Sequence, residues 1–127
     1  MRTTTVVSRM IVRIAGAIEI VLGILFWTGH ARSWVGIHML VGLILVVALW
    51  VIAGVAIRAR VGRGASAFAI VWGIVVLVLG ATQTMLLVGS AHWVVQVIHL
   101  FVGLAAIGIS ESLATRIMVA LAARPAA

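Results

Sequence analysis

Four apolar runs, each close to twenty residues long, constrain this chain more than any other feature. They lie at about 10–28, 33–57, 66–88 and 91–113. A run of that length crosses the hydrocarbon of a bilayer as a single α-helix. Of the 127 residues 65% are hydrophobic and only 9% are charged, too few to cover a water-facing surface of this size. The expected fold is therefore all-α, an integral membrane four-helix bundle forming one transmembrane domain over 1–127. The runs are joined by GHAR, RARVGRG and LVGSAH, none long enough for a second domain. Such short connections make consecutive helices antiparallel, in an up-down order. Residues 114–127 read as a cytoplasmic tail that prolongs helix four by a turn or two, with Pro125 ending any helix.

The arginines set the expected orientation. Arg2, Arg9 and Arg13 precede or open the first run; Arg58, Arg60 and Arg63 occupy the second connection; Arg116 and Arg124 lie beyond the fourth run. These eight fall on one side of the membrane and only Arg32 on the other, so both termini are placed in the cytoplasm of a multi-pass plasma (inner) membrane protein. Trp27, Trp34 and Trp93 fall at the outer ends, where indole rings favour the headgroup boundary. The net charge of +7 is thus a topology signal, and no nucleic-acid partner is expected. The basic start followed by an apolar stretch resembles a signal peptide, but Glu19 interrupts it and no small-residue cleavage site precedes Gly29. The segment reads as a retained helix. With no cysteine, disulfides, thiolate metal sites and cysteine nucleophiles are excluded.

One pattern occurs twice. Residues 36–43 read GIHMLVGL and 97–104 read VIHLFVGL, so His38 stands four residues before Gly42, and His99 four before Gly103. The triplet VLG recurs at 21–23 and 78–80, an offset that also aligns Gly16 with Gly73; the histidines align at a slightly larger offset. The chain reads as two helical hairpins in the same orientation, related by a pseudo-twofold axis along the membrane normal. Helices two and four are then diagonal neighbours, and His38 and His99 sit at similar depth in the outer half. Two imidazoles facing one another there suit the axial positions of one haem iron. Gly42 and Gly103, one turn further along, would let a flat macrocycle approach the backbone. The plainer alternatives are histidines that hydrogen-bond between helices and glycines that let helices pack closely. Zinc would require three or four ligands, which the remaining candidates are too scattered to supply.

The other polar groups arrange around this pair. Gly16, Glu19, Gly23 and Phe26 form one stripe; Trp34, His38, Gly42 and Leu45 a second; Gly73, Gly80, Gln83 and Thr84 a third; and His92, Gln96, His99, Gly103, Ala106 and Ser110 a fourth. His30 and His92 lie nearer the outer surface as loop or interface residues, with Arg32 the cation best placed for a propionate. Glu19 lies near the middle of helix one, where a charged carboxylate costs several kcal/mol unless paired or neutralised. It reads as a proton carrier, an internal hydrogen-bond partner or a packing residue. Glu111 reads as a boundary residue with Arg116 close by.

The paired hairpins, with His38 and Gly42 in helix two and His99 and Gly103 in helix four, resemble the four-helix membrane-bound b-type cytochromes over most of the chain. That resemblance implies non-covalent haem b with two imidazole ligands and electron transfer in the bilayer. Known members commonly carry further histidines for a second haem, and this chain offers one clear site. Four short helices with a glutamate in the first also resemble the small multidrug resistance transporters, which implies a proton-coupled carrier built from dimers. Their pocket-shaping aromatic and tyrosine residues have no counterpart here, and His38 and His99 would have no role. The expectation is a haem b protein with His38 and His99 as iron ligands and Gly42, Gly103 and Arg32 completing the cofactor site. A proton-coupled transporter centred on Glu19 and a scaffold without chemistry are the alternatives. The expected partners are the bilayer, a quinone or extracytoplasmic redox protein, and a second copy of the chain as a homodimer.

Overall fold

In the computed structural model, which describes residues 1–123, the chain is all-helical. Its helices are α1 (Arg2–Trp27), α2 (Val35–Arg58), α3 (Arg63–Thr82) and α4 (His92–Ala122), with 3-10 turns at Arg32–Trp34 and Gln83–Met85. All four are long and apolar enough to cross a membrane. Arg124 and Pro125, and with them the expected end of the tail, lie outside the described residues.

The helices depart from their expected ranges at the ends. Helix α1 begins at Arg2 instead of near residue 10, although TTTVVS is rich in poor helix formers. Tertiary packing compensates, for Thr5, Ser8 and Val12 are buried. Helix α4 likewise runs through the expected tail to Ala122, because Leu113, Ala114 and Ile117 belong to the same core cluster as Val12 and Ala15 of α1. Helix α3 stops at Thr82 although MLLV continues the apolar run. The chain must turn before α4 starts at His92, and it does so with positive φ at Leu87 and Gly89.

Helix α2 packs on α1 and α3 and also meets α4 directly across the bundle, while α4 packs on α1 and α3. The core is concentrated towards one end. Leu49, Ile52, Ala53 and Ala56 of α2 meet Val12 and Ala15 of α1, Ala69 of α3, and Leu113, Ala114 and Ile117 of α4. The opposite end, where α1 leads into α2 and α3 into α4, has few fully buried side chains and is hollow. The exterior is as apolar as the core: Val21, Leu40, Val71 and Phe101 all expose more than half their surface. Hydropathy contrast therefore cannot choose the inward face. Small residues and interhelical hydrogen bonds do so instead.

Two glycines illustrate the selection. A Cβ on Gly16 would lie 2.5 Å from Cδ1 of Ile107, and one on Gly73 would collide with the indole nitrogen of Trp50 and lie 3.0 Å from Cγ1 of Val46. Val46 and Ile107 are separated by the same 61 positions as His38 and His99, while Gly16 and Gly73 share the VLG offset of 57. One glycine-to-branched-residue contact thus occurs in both halves. Across the helices, Trp50 Nε1 donates to the Ile70 carbonyl at 3.1 Å and Trp72 Nε1 to that of Val102 at 3.0 Å, tying α3 to both α2 and α4.

Candidate functional site

The hollow end holds a cavity of about 520 Å³. From α1 it is lined by Gly16, Glu19, Gly23 and Phe26; from α2 by His38, Gly42 and Leu45; from α4 by Gln96, His99, Gly103 and Ile107. Arg32, Gln83, Thr84 and His92 line it near the helix ends. The four polar and glycine-bearing stripes expected from the sequence therefore contribute to one space. Trp34 is the exception among the aromatic candidates: it is half exposed and does not line the cavity.

His38 and His99 approach one another across the α2–α4 diagonal, their ring centroids 6.0 Å apart and their planes at 54°. Phe26 packs edge-on against His38 at 5.3 Å. Nδ1 of His38 lies 2.8 Å from Oε2 of Glu19, with both side chains mostly buried. Despite this short distance the contact falls outside hydrogen-bond alignment, and Nδ1 of His38, Oε1 of Glu19 and Nδ1 of His99 are buried without a hydrogen-bond partner. His99 has no such carboxylate neighbour. Position 76, related to Glu19 by the VLG offset, is a valine that also lines the cavity.

The two site glycines differ. A Cβ on Gly42 would stand 3.5 Å from the Glu19 carboxylate, in ordinary van der Waals contact. A Cβ on Gly103 would meet nothing within 4 Å. Gly80 lies under His99, whose Cε1 is 3.5 Å from the corresponding Cβ position. At the rim, His92 Nδ1 donates to the Leu86 carbonyl at 3.1 Å, while His30 is exposed with Nδ1 3.1 Å from Thr28 Oγ1.

Glu111 is not paired with Arg116. Its carboxylate accepts hydrogen bonds from Arg9 and Arg13 of α1, with Arg9 Nε at 2.8 Å and Arg13 Nε at 2.7 Å. Five residues along a helix make about 1.4 turns, so Arg116 leaves on a different face, towards Gly62. The Glu19–His38 contact and the Glu111 pairs were not legible in sequence spacing, because each joins residues on different helices.

Among the described residues no three histidine, cysteine or carboxylate side chains gather as a metal site. The histidines and carboxylate lining the cavity are thus His38 and His99, one carboxylate in contact with the first of them, and His92 near the helix ends. No protein family matches the chain, and neither a curated protein nor a solved structure shows significant similarity to it.

Proposed function

We propose that the chain is a multi-pass membrane protein of up-down topology, built from two repeated hairpins with both termini in the cytoplasm, and that it holds haem b between His38 and His99 for electron transfer. The observation that carries this reading is the pair of imidazoles 6.0 Å apart on a cavity of about 520 Å³. With a metal–imidazole bond of about 2 Å, two imidazoles on opposite sides of one ion have centroids roughly 6 Å apart. The cavity also falls in the range of about 300–1,000 Å³ usual for cofactor sites.

The surrounding residues suit the same role. Glu19 beside Nδ1 of His38 favours the tautomer that leaves Nε2 free as a ligand, as carboxylates do for metal-bound histidines. Gly103 faces open space where a side chain would obstruct a flat ring. Arg32 lines the outer rim, where a guanidinium can take a carboxylate in bidentate fashion. When bound, haem supplies a one-electron couple. With His38 and His99 both holding the group, electron transfer would be favoured over oxygen binding. The hollow end then lies in the outer half of the membrane, within reach of a quinol or an extracytoplasmic redox partner.

A second reading is favoured by one observation: Oε1 of Glu19 is buried without a hydrogen-bond partner, as a proton-carrying carboxyl in a transporter would be. The visible spectrum of protein purified from haem-replete cells separates the two. The haem reading requires a Soret band, with α and β bands on reduction, that is altered by both His38→Ala and His99→Ala. A colourless protein would sink it, and loss of proton-coupled transport in Glu19→Gln vesicles would then favour the transporter.

A further inference from the structure

A second unusual concentration of charge lies at the opposite end of the bundle, around the turn between α2 and α3. Arg58, Arg60 and Arg63 are all exposed on this turn. Arg116 of α4 joins them, with one terminal guanidinium nitrogen 3.7 Å from the position a Cβ on Gly62 would take. Among the described residues none of the four pairs with a carboxylate. The chain has only two acidic side chains: Glu111 is taken by Arg9 and Arg13, and Glu19 lies beside His38 in the cavity.

The backbone adds to the excess. The N-terminus of α3, the positive end of its dipole, has no side-chain cap and no acid in its first turn. Helix α2 closes with Arg60 N–H donating to the Ile57 carbonyl at 3.0 Å and Val61 N–H to that of Ala56 at 2.9 Å. That motif usually places glycine in the left-handed position, as Gly29 does after α1, but here Arg60 holds it at φ 59°. Four exposed cations and a helix N-terminus thus lie around one turn with no carboxylate paired to them among the described residues, while exposed apolar side chains, Ile57 and Phe68, stand on the same two helices.

We propose that this corner binds the phosphate headgroup of an anionic phospholipid. Guanidinium forks match phosphate oxygens bidentately, which suits a site made of arginine alone. The inference rests on the four helices being membrane spans, since only then does the cluster lie at headgroup depth in one leaflet. It is independent of the haem.

Native mass spectrometry of the full-length protein, offered equimolar phosphatidylcholine and phosphatidylglycerol in mixed micelles, tests it. Phosphatidylglycerol should be retained in preference. Arg60→Gln and Arg116→Gln should each lower that preference about fivefold. Arg13→Gln, whose guanidinium is already occupied by Glu111, should change it little. Equal retention of the two lipids, or unchanged preference in an Arg60→Gln/Arg116→Gln variant with normal helical content, overturns the proposal. So does abolition of the preference by inorganic phosphate, which would assign the site to a free anion. Alkaline extraction of membranes separates this failure from that of the membrane reading: protein that stays in the pellet without lipid preference refutes only the headgroup site, and protein that washes off refutes both.

Discussion

Oε2 of Glu19 lies 2.8 Å from Nδ1 of His38, whereas Nδ1 of His99 has no carboxylate beside it among the described residues. The two halves of the chain, alike in their histidine–glycine pairs, thus differ at the atom behind each imidazole. Glutamate stands at 19, and the position 57 residues later, 76, is valine.

In the proposed haem site that asymmetry would make the two histidines inequivalent as ligands. A carboxylate behind a ligating imidazole raises its basicity and stabilises the oxidised metal. Glu19→Gln should therefore raise the midpoint potential, and Glu19→Ala should in addition weaken haem retention by about 10- to 100-fold. Redox titration and haem-transfer kinetics check the two effects. Unchanged values in both variants would remove Glu19 from the site.

Gly103 separates the cavity from the fold. Because a Cβ there meets nothing within 4 Å, Gly103→Leu should fold with unchanged helical content while filling the cavity. The Soret absorbance per protein should fall several-fold. If it does not, the macrocycle lies elsewhere.

Gly73 tests the packed end. A methyl at this position collides with Trp50, so Gly73→Ala should cost about 1–3 kcal/mol through overpacking, read as a lower melting temperature in detergent. Gly54→Ala provides the contrast: nothing surrounds that position, and removing a helical glycine should stabilise by up to about 1 kcal/mol. Trp50→Phe should relieve part of the Gly73→Ala defect while giving up the bond to the Ile70 carbonyl.

The proposed orientation is open to direct labelling, since the chain has no cysteine to interfere. Single cysteines at His30 and Val61 should react with an impermeant maleimide from opposite faces of intact cells, His30→Cys from outside. Labelling of both from the same face would refute the up-down arrangement.

How far the structure can be read from the sequence varies along the chain. The four helices and their connections follow from apolar length, and the stripes of glycines and polar groups mark the cavity only in part: Glu19, His38, Gln96 and His99 line it, whereas Gly73, Ala106 and Ser110 lie in packed positions. The glycine pair aligned in the sequence, Gly16 and Gly73, packs against branched residues in both halves, Ile107 and Val46. The helix ends were less legible. Local propensity disfavours helix at TTTVVS and favours it at MLLV, and in each case longer-range demands prevailed: burial against the core in the first, the turn into α4 in the second.

By itself the sequence determined that this chain forms four apolar helices with two histidine–glycine turns placed alike, because period and hydropathy are local properties. Only the tertiary structure decided which polar groups meet. It set Glu19 against His38 instead of His99, gave Glu111 to Arg9 and Arg13 instead of Arg116, and left four arginines around the α2–α3 turn without a carboxylate among the described residues. Such pairings depend on the rotation and depth of each helix relative to its neighbours. In a chain apolar on every face, these are settled by where glycines allow close approach and where tryptophans reach a carbonyl across the interface.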